Sequence, residues 1–355
     1  MGAFLLRRLL WMIPTLVGIT LLTFLAVHAA PGDLAARVGD AESVASAAGS
    51  SGDDRELFRA EHLLDAPLWK QYLHFVGPFD LSPQGASAFG GSGAHPWHGV
   101  LALDFGTEFQ RPGVPVLPEI GARLAVTGPL ALLATLLLFL VGVPLGVASA
   151  LSTGGLVDRA ARGLLLALHS VPGYALGLAL ILLFGATGWG LLPVLGAHAP
   201  DAEELSFGAR LLDRAAHAVL PLATLCLPGL AYVARQTRAA VLEVLDADFV
   251  RAARARGLAE KDVLVRHVLR NALLPIVTLL ASILPALLGG SVIVETLYGL
   301  PGLGSYAYEG LLARDLNVIL GVTTTTAVAT LAAILAADVA SAWLDPRVRT
   351  EVRGG

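Results

Sequence analysis

Apolar residues in this chain come in long blocks. Six stretches, 9–30, 126–150, 161–186, 215–237, 273–297 and 317–344, are mostly Leu, Ala, Val and Ile with Gly and Pro interspersed. A helix needs about 20 mainly apolar residues to cross the hydrocarbon core of a bilayer. Membrane helices accept Gly and Pro because neighbouring groups re-satisfy the freed backbone. The pattern therefore predicts an all-α, polytopic membrane protein with six transmembrane helices. Pro144, Pro172, Pro221, Pro228, Pro275 and Pro285 should bend or break those helices. The first block follows Arg7-Arg8 and ends at Ala29-Ala30, as a secretory signal would. It exceeds the roughly 7–15 apolar residues of such a signal and reads as a retained anchor.

The spans divide the chain into an N-terminal end with its first helix (1–30), a long connecting segment (31–123), a five-helix core (124–345) and a short tail (346–355). Within the connecting segment, Ala41–Asp54 and Ser82–Gly93 are rich in Gly, Ser and Ala and read as loop. Arg55–Phe75 carries Leu57, Leu63, Leu64, Leu68 and Tyr72 at helical spacing, which predicts a short helix. Trp69, Tyr72, Phe75, Phe79 and Trp97 could pack a small cap or rest at headgroup level. No internal repeat or coiled-coil pattern occurs.

Composition agrees with the blocks. Charged residues make up 15% and hydrophobic ones 55%, with a mean hydropathy of +0.70; soluble domains carry about 25% charged residues. The single cysteine, Cys226, excludes a disulfide within the chain. Charge adds orientation. With the N-terminus in the cytoplasm, the inner segments are 1–8, 151–163, 235–272 and the C-terminal end from Asp345 onward. They hold 15 of the 24 basic residues and 8 of the 28 acidic ones, a balance of +7. The outer side holds 9 basic and 19 acidic residues, a balance of −10, and Asp338 lies within the last span. Lys and Arg concentrate on the cytoplasmic side of membrane proteins. Both ends of the chain are thus expected inside, and the 31–123 segment outside.

The loop before the fifth span is the most informative. Asp246 or Asp248 can cap a helix start, and Gly257 suits the left-handed position that ends one. On the helix between them (about 247–258), Phe249, Ala252, Ala253 and Gly257 share a side by i, i+3, i+4 spacing, and Arg251 and Arg254 share another. So short a helix is marginal alone in water and needs a surface to rest on. Chemistry leaves two readings open: a helix that docks on a protein partner, or a basic loop held at anionic headgroups.

The segment Arg251-Ala-Ala-Arg-Ala-Arg-Gly257, followed by His267-Val-Leu-Arg-Asn-Ala-Leu-Leu-Pro275, resembles the cytoplasmic signature of binding-protein-dependent ABC permeases. The general form begins Glu-Ala-Ala; here Arg251 replaces the Glu, while Ala252, Ala253 and Gly257 match. Ala259 stands where a Ser is common. The spacing to Leu274-Pro275 is similar to the dipeptide, oligopeptide and nickel importer branch. Other resembling segments are Arg7-Arg8-Leu, Ile13-Pro14-Thr15, Pro31-Gly32-Asp33, Asp104-Phe105-Gly106, Ser170-Val-Pro172, Val294-Glu295-Thr296, Pro301-Gly-Leu-Gly304 and Asp345-Pro346-Arg347. Their order covers nearly the whole chain except about 34–98.

The resemblance implies one of two permease subunits of an ATP-driven importer. Asp248, Phe249, Val250, Arg251, Ala252, Ala253, Arg254, Gly257 and Leu258 would form the coupling helix and its end, seated on an ATPase subunit. Expected partners are a second homologous permease, two cytoplasmic ATP-binding subunits, an extracytoplasmic solute-binding protein and membrane lipid, with no nucleic acid. ATP and Mg would be bound by the ATPase subunits, since no G-x-x-x-x-G-K-[ST] loop occurs here. No metal-ligand spacing occurs either. The solute would be a di- or oligopeptide, with nickel or another small solute as the alternative. An ion-coupled secondary transporter would call for paired intramembrane carboxylates or repeated broken helices, which the sequence lacks.

Glu295 precedes the outer turn that contains Tyr298, Pro301, Gly302 and Gly304, and either lines a solute path or holds that turn by local hydrogen bonds. His28, His169 and Asp338 lie in or beside spans, where ionisable groups draw functional suspicion; local partners suffice for His28 and Asp338 near span ends. Gly142/Gly146 and Gly173/Gly177 have the spacing that lets helices approach closely.

Overall fold

The computed structural model describes residues 2–30, 56, 59–60, 62–78, 81, 99–111, 113–185 and 188–344. Among them it is helical, and the one β feature is an isolated bridge between Thr107 and Pro115. The helices are α1 (Gly2–Ala29), α2 (Leu68–Val76), α3 (Val116–Leu151), α4 (Leu156–Ser170), α5 (Gly173–Phe184) and α6 (Phe207–Leu245). They continue as α7 (Asp248–Ala255), α8 (Glu260–Leu288), α9 (Val292–Leu297), α10 (Leu303–Ala313) and α11 (Leu316–Leu344).

Among the described residues, five helices are long and apolar enough to cross a membrane: α1, α3, α6, α8 and α11. The third expected span, 161–186, is two helices, α4 and α5, that meet at an angle of 100°. Pro172 sets that break. A proline holds the residue before it in extended backbone, and Val171 sits at φ −87°, ψ 126°, ending α4. The 12-residue α5 spans about 18 Å, short of the roughly 30 Å hydrocarbon core. The fifth span also shifts: its helix begins at Glu260, ahead of the apolar block, and ends by Leu288. Its first turns contain a π-helical segment, Val263–Leu269. By contrast α3 and α6 run for 36 and 39 residues, with Pro129, Pro144, Pro221 and Pro228 accommodated inside them.

The chain forms two compact units. One draws on Met1–Arg8, Val126–Gly304 and Ala329–Gly355. Within it α3 packs closely on α6, and the small residues of α3 are the reason. A Cβ on Gly142 would lie 2.8 Å from Val233 Cγ1, and one on Gly146 would lie 2.5 Å from the Ala234 carbonyl oxygen. Gly177 likewise leaves room for Thr224 and Leu297, whereas nothing approaches Gly173. Arg8 pairs with Asp338 at 3.1 Å, and His169 Nδ1 lies 3.3 Å from the Pro228 carbonyl.

The second unit draws on Leu9–Ala125 and Ser305–Val328. Phe24, Phe109, Leu316 and Leu320 form its apolar centre, with Tyr72 and Phe75 packed against it. Those two rings therefore face protein. Tyr72 Oη sits 2.9 Å from Thr20 Oγ1, and His28 bridges the Phe24 carbonyl and Gln71 Oε1, both at 2.9 Å. Trp69 is exposed, while Leu57, Phe79 and Trp97 lie outside the described residues. Of the helix predicted over 55–75, Leu68–Val76 is helical and so are Glu56, Arg59 and Ala60, while Leu63 between them adopts φ 56° in a turn.

Candidate functional site

The loop between α6 and α8 folds as predicted into a short helix, α7, closed by Gly257. Gly257 has φ +78°. Its N–H donates to the Arg254 carbonyl at 2.9 Å, and the Leu258 N–H donates to the Ala253 carbonyl at 3.4 Å. This paired ending satisfies the carbonyls a helix terminus leaves open, and glycine adopts the left-handed backbone it requires at little cost. The start differs from expectation. Ala247 occupies the cap position in extended backbone and no side chain caps the helix. Asp246 ends α6, and Asp248 lies one residue inside α7, where its carboxylate accepts from Arg251 Nη2 at 2.7 Å. The Asp248 charge still lies at the positive end of the helix dipole.

The faces of α7 also differ from the spacing argument. Val250 and Ala253 are fully buried, in one apolar cluster with Ala150, Ala240, Val241, Val263, Val268 and Ala272. Ala253 therefore faces its own chain. Phe249, Arg251, Ala252, Arg254, Gly257 and Leu258 are exposed. Arg254 reaches across to Glu260 at 2.8 Å, tying the end of α7 to the start of α8. The result is a helix clamped by one side, with an aromatic, a small residue and two arginines on the rest.

The turn after α9 is built around a buried carboxylate. Glu295 has no exposure and sits in α9. Its Oε1 accepts from Thr127 Oγ1 and from Ser291 Oγ, both at 2.7 Å. The turn wraps it: a Cβ on Gly302 would lie 2.3 Å from the Glu295 Cδ, and one on Gly304 would lie 3.0 Å from Oε2. Thr127 Oγ1 also accepts from the Leu303 N–H at 2.7 Å. Tyr298 is buried, its hydroxyl 2.8 Å from Thr224 Oγ1, and its carbonyl accepts from the Gly196 N–H at 2.9 Å. Pro301 is exposed beside Gly302. Of the two readings for Glu295, local bonding that holds the turn is the one its geometry supports.

Spacing arguments missed a third group. Asp158 carries a carboxylate with no exposure, held by Ser149, Gly154, Arg162 and Arg238. Its most distant partner, Arg238, is 80 residues away in sequence, so a reading of local patterns registers only one acidic residue near a helix start.

The family model for "Binding-protein-dependent transport system inner membrane component" matches residues 142–350. An oligopeptide transport system permease protein, AppB of Bacillus subtilis, is 34% identical over 349 residues, 98% of this chain and 99% of that protein. A dipeptide transport system permease protein, DppB of Escherichia coli strain K12, is 34% identical over 363 residues, 98% of each. Among solved structures, a chain of the inward-facing MetNI methionine ABC transporter superposes with a TM-score of 0.51 at 17% identity. The match covers 64% of this chain and 97% of that one.

Proposed function

Because the chain belongs to the family of binding-protein-dependent transport system inner membrane components, we propose that it is the permease subunit of an ABC importer that carries di- and oligopeptides. The observation that carries the peptide assignment is the full-length similarity to oligopeptide and dipeptide permeases. The same reading gives it a second homologous permease, two ATP-binding subunits that hold ATP and Mg, and an extracytoplasmic binding protein. This chain performs no chemistry; it forms the path. Both of its ends lie in the cytoplasm and 31–123 lies outside, a reading supported by the +7 and −10 charge balance.

In this reading α7 is the contact to an ATPase subunit. What supports it is the division of the helix: Val250 and Ala253 fix it to the chain's own core, and Phe249 and Ala252 are left free. Closure of the ATPases would push on α7, and the buried side would pass that movement to α6 and α8. Such coupling requires two sites joined by an element with two discrete arrangements.

The test is a cross-link from the exposed side. In a Cys226→Ala background, Ala252→Cys in the assembled transporter should form a disulfide or short-linker product with an ATPase subunit bearing engineered cysteines along its membrane-facing groove. Ala253→Cys, buried, should not. No product from Ala252→Cys in an assembled, ATP-hydrolysing complex would refute the assignment of α7.

A further inference from the structure

Asp158 sits in the first turn of α4, and none of its carboxylate is exposed. A buried charge is costly unless paired and fully hydrogen-bonded. Here the pairing is complete. Oδ1 accepts from Ser149 Oγ at 2.6 Å and from Arg238 Nε at 3.0 Å. Oδ2 accepts from the Gly154 N–H at 2.9 Å and from Arg238 Nη2 at 3.4 Å, and pairs with Arg162 Nη2 at 3.0 Å. Ser149 lies at the end of α3, Gly154 in the turn between α3 and α4, and Arg162 one turn further along α4. Arg238 comes from α6. One carboxylate thus ties the α3–α4 hairpin to a helix distant in sequence.

The position of Arg238 gives the tie its meaning. From Arg238, α6 continues unbroken to Leu245, and α7 starts three residues later. Ala240 and Val241, on that last stretch, share the apolar cluster that buries Val250 and Ala253 of α7 and Ala150 of α3. Just before Arg238, a Cβ on Gly146 of α3 would lie 2.6 Å from Thr237 Cβ, so the two helices touch there. The end of α6 that carries α7 is therefore gripped by close packing and by one ion pair. Packing is non-directional. A charged, two-nitrogen contact fixes orientation as well.

We infer that Asp158, acting through Arg238, is a positioning residue for energy coupling: it locks the cytoplasmic end of α6 to the α3–α4 hairpin, so that movement of α7 tilts the spans together. This rests on the reading of α7 as the ATPase contact. Arg162 supplies the comparison. It neutralises the same carboxylate from Asp158's own helix, is 57% exposed, and among the described residues makes no ion pair beyond that helix.

The test uses the complete transporter in liposomes with its binding protein, a labelled mixture of di- to pentaalanine, and parallel measurement of uptake and ATP hydrolysis. Arg238→Met should assemble and hydrolyse ATP while peptide moved per ATP falls by roughly tenfold, within the range usual for coupling between sites. Arg162→Met should keep the wild-type ratio. Should Arg238→Met fail to accumulate, Arg238→Lys, which keeps the charge but loses the two-nitrogen contact, should give an intermediate fall. A wild-type ratio in the Arg238 variant would overturn the inference. So would equal falls in both arginine variants, because neutralising the carboxylate, and not joining two helices, would then be what matters. Failure of the α7 assignment is distinct: it would show as no Ala252→Cys cross-link in otherwise unmodified protein.

Discussion

Glu295 illustrates what one buried side chain can organise. Its carboxylate lies under the turn that includes Gly302, and two hydroxyls at 2.7 Å hold it in place. A flexible acid could swing away from an added methyl group; this one has no exposure and no room. Gly302→Ala should therefore cost about 1–3 kcal/mol, the usual penalty for overpacking a filled site, read as a lower thermal midpoint of the detergent-solubilised protein. Gly208→Ala, at the exposed start of α6, tests the alternative that any glycine matters, since nothing lies within 4 Å of its Cβ position and its backbone is not left-handed. Equal losses at both positions would argue against a special role for the Glu295 contact. The sequence made Glu295 visible, because a carboxylate near a span end before a Gly-Pro-rich turn draws notice. Its partner Thr127 was not visible, being 168 residues away and an ordinary residue in a membrane helix. Asp158 was hidden for the same reason. Hydrogen bonds between distant helices leave no local pattern.

Among the elements, the apolar blocks were legible because bilayer thickness sets their length, and α7 because Gly257 marks its end. The orientation of α7 was not. With few apolar residues in so short a helix, either Phe249 or Val250 could have led the buried side, and only packing against Val241 and Val268 decides it. The broken third span was half-legible: Pro172 announced a bend, but whether a proline kinks a helix or ends it depends on what neighbouring helices can accept. The turn before α11 carries a different kind of element-scale consequence. Asp315 is 2% exposed and accepts from the N–H groups of Val318 and Phe109. Burial, with Glu108 nearby, pushes its pKa up to about 6 from the ordinary 3.8, against the pull of those backbone donors. Arg111, Arg123, Tyr306 and Glu309 line the same cavity of about 260 Å³. A raised value means the protonated form is favoured in the folded state. Its contribution is fully present below about 3.8 and is lost as pH rises through about 6. Relative to Asp315→Asn, the wild-type protein should gain up to roughly 3 kcal/mol as pH falls from 7 to 4. Thermal midpoints of the two proteins across that range check this, and a pH-independent difference would sink it.

For the whole molecule the decisive quantity is the distribution of charge, since the net −4 is small. Arginine and lysine resist crossing the membrane during insertion, so a chain with +7 on one set of loops and −10 on the other has one favoured topology. The helices fit that alternation only if α4 and α5 together make one crossing. Were they a re-entrant pair that returns to its own side, the number of crossings would be odd and the two ends would lie on opposite sides. Labelling decides between them. In a Cys226→Ala background, Glu203→Cys lies in the exposed stretch before α6, and Ala255→Cys lies at the exposed end of α7. A membrane-impermeant thiol reagent added to intact spheroplasts should modify Glu203→Cys, and should reach Ala255→Cys only after the membrane is opened. A single cysteine placed at Gly2 should behave like Ala255→Cys if the α4–α5 pair crosses. If Gly2→Cys is modified in intact spheroplasts while Ala255→Cys stays protected, the pair does not cross and the topology has five spans. The 100° break would then be a loop dipping into the bilayer from one face. The charge balance favours the crossing form, because reversing the ends would place Arg7 and Arg8 outside.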